Sequence, residues 1–286
     1  MFFFNKYWIG RLKLKLDKKG LKGLLISILN FINKNINPKH VGEFPFKYLF
    51  LKKRRLIKNF VKKELHTLDD INIINIGNYL LNEKLIDDNS IIYSFGVGES
   101  ISFEESVSNR FNCKVFCYDP TSLAVNYMKN KEYDKDLIYF RDYGIWKEDK
   151  KIKFFHQSDN DLNNTGGSIT NLFENNSFDL LQCYKLKTLM DQNNHKKIDI
   201  LKMDIEGAAF EVLDNVISDK IYPKQIVVEF EYSEDDKIDL KKFKNWSDKL
   251  INLINVMKRL NYKCYYLPRY SHHPYSTIET LFIRKD

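Results

Sequence analysis

Four short apolar runs constrain this chain more than any other feature, because each stops at a glycine or a carboxylate and most are followed by a stretch of helical length. Ile91-Ile92-Tyr93-Ser94-Phe95 runs into Gly96-Val97-Gly98-Glu99, and Val115-Phe116-Cys117-Tyr118 runs into Asp119-Pro120. Ile198-Asp199-Ile200-Leu201-Lys202-Met203 leads to Asp204-Ile205-Glu206-Gly207, and Gln225-Ile226-Val227-Val228 ends in Glu229-Phe230. Runs of this length, rich in β-branched and aromatic residues, form strands. The periodic segment from Ser102 to Arg110, opened by a Ser-x-x-Glu capping pattern at Ser102 and Glu105, predicts a helix between the first two. Strands joined by crossover helices pair in parallel. The expected fold is α/β with a mostly parallel sheet.

Ligands of such a sheet lie beyond the carboxyl ends of its strands, near the point where the strand order reverses. Glycines there let the backbone approach a ligand, and a carboxylate about 20 residues on, at the tip of the next strand, can accept hydrogen bonds from both hydroxyls of a ribose. Gly96-x-Gly98 with Asp119 therefore reads as a nucleoside site. Asp119, Asp204 and Glu229 put acid at three strand ends, more than a solvated surface alone explains.

The rest of the chain fits this plan. Ser122–Lys131 predicts a second crossover helix, and Leu137–Phe140 a third strand that leads into Arg141-Asp142-Tyr143-Gly144. In a nucleoside-binding sheet that end lies beside the base, so Asp142 or Tyr143 is either a contact to the base or part of a plain turn before a strand at Lys151–His156. Asn160–Ser168 is a polar loop expected to cover the cleft. Beyond Glu206 the order is helix (208–218), strand (225–230), helix (240–260) and two strands (262–267 and 276–284) joined by His272-His273-Pro274. So short a connection cannot be a helical crossover, so the last strand runs antiparallel.

Charge divides the 286 residues unevenly. Residues 1–64 hold 17 Lys and Arg against 3 acids, a net +14, while the remainder holds 29 against 35, a net −6. Leu21, Leu24, Leu25, Ile28, Leu29, Ile32 and Ile36 fall at helical spacing among lysines, and a second basic helix is expected at 48–65. Residues 1–70 are thus expected to form a basic helical extension and 71–286 the α/β domain. The arm suits contact with an anionic surface, with a second subunit or with its own domain. Its apolar core, from Gly23 to Ile32, is too short to span a bilayer. Cys113, Cys117, Cys183 and Cys264 lack the paired spacing of zinc sites; Cys113 and Cys117, on or near an inner strand, read as buried apolar residues, and a reducing, cytoplasmic compartment is expected, with peripheral contact at the inner membrane face as one use of the arm.

Ser94-Phe95-Gly96-Val97-Gly98, Tyr118-Asp119-Pro120 and, above all, Ile198–Ala208 with Val227-Val228-Glu229 resemble the FkbM-type S-adenosylmethionine-dependent methyltransferases, and a related domain whose first motif reads Tyr-Ser-Phe-Gly. The resemblance implies the class I methyltransferase fold, a Rossmann-like, mostly parallel seven-stranded sheet with an antiparallel closing strand. It also implies S-adenosylmethionine as cofactor and O-methylation of a sugar hydroxyl in glycan or glycosylated-metabolite synthesis. Ser94, Phe95, Gly96, Gly98, Glu99, Asp119, Pro120, Asp142, Tyr143 and Asp204 are the expected cofactor contacts. Asp204, Glu206 and His273 are the catalytic candidates, with Asp204 first because its strand lies next to the glycine turn. No metal is expected in the leading reading; the alternative gathers a divalent cation at Asp204, Glu206 and Glu229. Two positions depart from the pattern: Glu99 stands where many methyltransferases have a third glycine, and Ala209 where the family commonly has a second glutamate. A nucleic-acid methyltransferase gripping its substrate with the basic arm is the second reading, weakened by the lack of an Asn/Asp-Pro-Pro-Tyr signature or any RNA-binding motif, so no nucleic-acid partner is expected. A non-catalytic protein that keeps the fold is the third.

Overall fold

The computed structural model describes residues 72–77, 79–156, 167–171, 176–231, 240–267 and 277–285. The helices expected at 21–36 and 48–65, most of the 160–168 loop and His273 lie outside them. The elements in chain order are β1 (Ile73–Ile76), β2 (Tyr79–Asn82), β3 (Ile91–Phe95), α1 (Ser102–Phe111), β4 (Lys114–Tyr118), α2 (Ser122–Asn130), β5 (Ile138–Arg141), β6 (Gly144–Ile145) and β7 (Lys150–His156). They continue with β8 (Gly167–Ser168), β9 (Phe178–Tyr184), α3 (Leu186–Gln192), β10 (Ile200–Met203), α4 (Ala209–Ser218), β11 (Gln225–Glu231), α5 (Leu240–Arg259), β12 (Tyr262–Leu267) and β13 (Thr277–Arg284).

The main sheet has seven strands in the order β12-β13-β11-β10-β3-β4-β5. β3, β4, β5, β10 and β11 pair in parallel, and β13 pairs antiparallel with both β11 and β12. This is the class I methyltransferase arrangement, with the closing antiparallel strand that the short 268–276 connection predicts. From β3 the chain steps outward through β4 and β5, then returns to the other side of β3 at β10. The order therefore reverses beside β3, where a crevice opens at the carboxyl ends of β3 and β10.

Every residue of β10 and β11 is buried, as both faces of an inner parallel strand require. On one face Ile92, Ile200, Val227 and Leu281 pack with Phe103 and Val107 of α1 and with Tyr79 and Leu81 of the β1–β2 hairpin. Each such side chain contributes about 1.5–3 kcal/mol by leaving water. The hairpin, which the sequence did not announce, is fastened by a reciprocal pair: Asn82 N–H donates to Gln225 Oε1 at 2.8 Å, and Gln225 Nε2 donates to Asn82 O at 3.0 Å.

Two further elements depart from expectation. β6, β9, β7 and β8 form a second sheet of four strands beside the carboxyl end of the first. β9 and the short helix α3 that follows it carry too few residues for an unmistakable periodicity. The capping box at Ser102 and Glu105 is also absent. Ile101 occupies the cap position without a side-chain bond, and Ser102 N–H donates instead to Ser100 Oγ at 3.3 Å.

Candidate active site

The glycine turn is shaped by the exit of β10 as much as by any ligand. Gly96 has φ +84°, and a Cβ there would lie 1.8 Å from the carbonyl oxygen of Asp204. Asp204 N–H donates to Phe95 O at 3.1 Å, lacing the two segments together, and Gly96 N–H donates to Tyr118 O at 3.2 Å, tying the turn to β4. Lys202 is buried at 3% exposure, and its ammonium donates to Gly96 O at 2.7 Å while lying 4.8 Å above the Tyr79 ring. The lysine of the Lys-Met-Asp-Ile-Glu-Gly element is thus a brace for the turn. Gly98, at φ +55°, has nothing within 4 Å of where a Cβ would stand, so the turn opens onto free space there.

Asp119 is 6% exposed and ties three chain segments together. Its Oδ2 accepts the N–H groups of Val97 and Gly98, each at 2.9 Å. Its Oδ1 accepts Thr121 N–H at 2.9 Å and Thr121 Oγ1 at 2.6 Å. An ionised carboxylate offers about four acceptor positions, and all four are used within the protein. Ser94 is fully buried, its hydroxyl donating to Glu104, itself 1% exposed.

Between the two sheets lies a cavity of about 240 Å³. Phe95, Gly96, Gly98, Asp119, Pro120, Asp204 and Glu206 line it, all anticipated from the sequence. Ser94, Glu99, Asp142 and Tyr143 are not among the lining residues: Glu99 and Asp142 are exposed, and Tyr143 packs edge-on against Tyr184 at 5.0 Å between centroids. The opposite wall was not anticipated. Ile145, Ile152, Phe154, Ile169 and Leu181 come from the second sheet and its neighbourhood and give it an apolar surface. Gly167 is needed where that wall is tightest, since a Cβ there would meet the Phe154 ring at 2.3 Å.

The acidic side of the site is denser than the sequence suggested. Asp204 Oδ2 accepts the Tyr79 hydroxyl at 2.7 Å. One carboxylate oxygen from each of Asp204, Glu229 and Glu231 lies within 4.8 Å of the others, so the third member of the group is Glu231, and Glu206 does not belong to it. Glu231 is 6% exposed; burial, then the neighbouring Glu206 and Asp204 charges, push its carboxyl well above the ordinary range. Its Oε2 accepts Gly207 N–H at 2.7 Å, whereas its Oε1 is buried with no hydrogen-bond partner. Glu206 itself sits at φ +43°, a conformation rare outside glycine, held by a 2.6 Å bond from Ser168 Oγ to its carbonyl. Glu231 was discoverable: Glu229-Phe230-Glu231 alternates, and a period of two puts both glutamates on one face of a strand.

These residues suit a nucleoside with a charged tail. They offer a turn with room beside Gly98, acidic strand tips at Asp119 and Asp204 on its two flanks, and an apolar wall opposite for a base. Among known proteins, the family model for the methyltransferase FkbM domain matches residues 72–264. No curated protein matches the sequence. Among solved structures the chain is similar to an rRNA-methylase candidate from Clostridium thermocellum, at 10% identity over 71% of this chain and 91% of that one, TM-score 0.40. It is also similar to the fibrillarin pre-rRNA processing protein of Methanococcus jannaschii (13%, 77% and 84%, TM-score 0.39) and to the precorrin-6y C5,15-methyltransferase of Geobacter metallireducens (11%, 79% and 96%, TM-score 0.37). The family match spans about two thirds of the chain, including every strand of the site, and the chain belongs to the methyltransferase FkbM domain family.

Proposed function

We propose that this methyltransferase uses S-adenosylmethionine to methylate a sugar hydroxyl in a glycan or glycosylated metabolite. The observation that supports the reading best is the cavity at the carboxyl ends of β3, β4 and β10, where the glycine turn lies between Asp119 on one flank and Asp204 on the other. When bound, S-adenosylmethionine supplies a methyl group on a sulfonium, which an acceptor oxygen takes in an in-line displacement.

The chain's own residues have the remaining work. The turn from Gly96 to Gly98 gives the donor's tail a backbone without side chains in the way. Asp119 holds that turn in shape, and a ribose hydroxyl reaches its carboxylate by sharing or displacing one of the four bonds it already accepts. The apolar wall of Ile145, Ile152, Phe154 and Leu181 keeps water from the base. Asp204, oriented by Tyr79, takes the acceptor's proton as the new bond forms. The sugar hydroxyl itself is the reading that the family resemblance favours.

The test uses radiolabelled donor, purified full-length protein and a panel of nucleotide sugars, oligosaccharides and RNA. A positioned base contributes about 10²–10⁴ in rate, so Asp204→Asn is expected to lower turnover into that range while donor affinity, by calorimetry, stays within a few-fold. Label appearing only in RNA, or full turnover by Asp204→Asn, would contradict the reading.

A further inference from the structure

We propose that Asp204, Glu229 and Glu231 form a binding site for one divalent, oxygen-preferring cation such as Mg²⁺ or Mn²⁺. The topology converges them. Met203 pairs with Val228, which sets Asp204 beside Glu229, and strand alternation places Glu231 on the same face as Glu229. One oxygen of each lies within 4.8 Å of the other two. Donors to one cation that binds oxygen at about 2.0–2.6 Å stand no more than about 4–5 Å apart, so the spacing admits a single ion.

The second observation is independent of the spacing. Glu231 is only 6% exposed, one of its oxygens accepts Gly207 N–H, and the other has no hydrogen-bond partner. A buried carboxylate oxygen without a partner is costly unless something positive meets it. Lys202, two residues before Asp204, has its ammonium bonded to Gly96 O. A donor set of carboxylate oxygens alone selects hard cations over softer, nitrogen- or sulfur-seeking ones. Three carboxylates leave about three octahedral positions for water or for the oxygens of an acceptor, and Asp204 also lines the cavity. The inference extends the reading of that cavity but its test needs neither donor nor acceptor.

Mn²⁺ titrated into the full-length protein, with free Mn²⁺ followed by electron paramagnetic resonance, is expected to show one saturable site. Glu231→Gln, which keeps an acceptor for Gly207 N–H, should weaken it about tenfold or more. Thermal melts check that the variant folds, and wild-type protein should melt higher with Mn²⁺ than with chelator while the variant does not respond. If Glu231→Gln fails to fold, Asp204→Asn takes the same comparison. No saturable site in the wild type, or unchanged Mn²⁺ affinity in a folded variant, overturns the proposal. In that event methyl transfer still stands, because the titration contains no methyl donor.

Discussion

At the scale of single residues, Gly96 decides whether the site exists. Its left-handed backbone and the 1.8 Å clearance to Asp204 O leave no space for a methyl group. Backbone strain of this kind costs about 1–3 kcal/mol before the clash is counted, so Gly96→Ala should lose at least that much stability in urea denaturation; a loss under about 0.5 kcal/mol would mean that the turn relaxes freely. The sequence made Gly96, Asp119 and Asp204 legible because glycine and carboxylate at strand ends are rare without a use. It could not reveal that Asp119 spends its four acceptor positions on Val97, Gly98 and Thr121, or that Lys202 braces the turn. Those facts depend on contacts between segments distant in the chain. Ser94 was singled out by its place in a motif, and its hydroxyl goes to Glu104.

At the scale of elements, the parallel strands and their order were readable because buried strands are continuous apolar runs and crossover helices are periodic. The β1–β2 hairpin and β9 were not, since strands of 4 to 7 residues with mixed polarity give little pattern. The hairpin nonetheless reaches the cavity's lining: the Tyr79 hydroxyl donates to Asp204. Its anchor is the buried Gln225, and Gln225→Leu would leave Asn82 N–H and C=O without those partners. That change should cost about 1–3 kcal/mol and raise hydrogen exchange in residues 73–82 more than in β10. Equal protection across both would show that the hairpin is held by its apolar face alone. The end of β11 carries a similar lesson, because stopping the strand at Phe230 hides the glutamate that completes the acidic group.

At the scale of the whole molecule, the described residues form one methyltransferase unit, and among them no helix is long and apolar enough to cross a membrane. The four cysteines are free and buried, Cys113 and Cys117 as expected from their place on or near an inner strand. Acid sensitivity should come in part from His195, whose Nδ1 lies 2.9 Å from the Tyr93 hydroxyl and whose ring packs on Phe116 at 4.6 Å. Burial, then the charge of Lys114, lowers its pKa below 6.5. The unfolded chain then binds a proton that the folded chain refuses, so stability is full above that value and falls as pH drops through it. His195→Asn should show a smaller fall in urea midpoint between pH 7.5 and 5.5 than wild type; an identical fall would assign the acid sensitivity elsewhere.

The central claim is that the crevice beside β3 holds S-adenosylmethionine through the glycine turn and Asp119, and calorimetric titration of the full-length protein with that compound tests it most directly. The account predicts one equivalent bound by the wild type. It further predicts that folded Asp119→Ala binds more weakly by about 1.5–3 kcal/mol, the worth of hydrogen bonds to a charged group, or roughly 10- to 150-fold. Absence of binding to the folded wild type, or equal affinity in the folded variant, would contradict it.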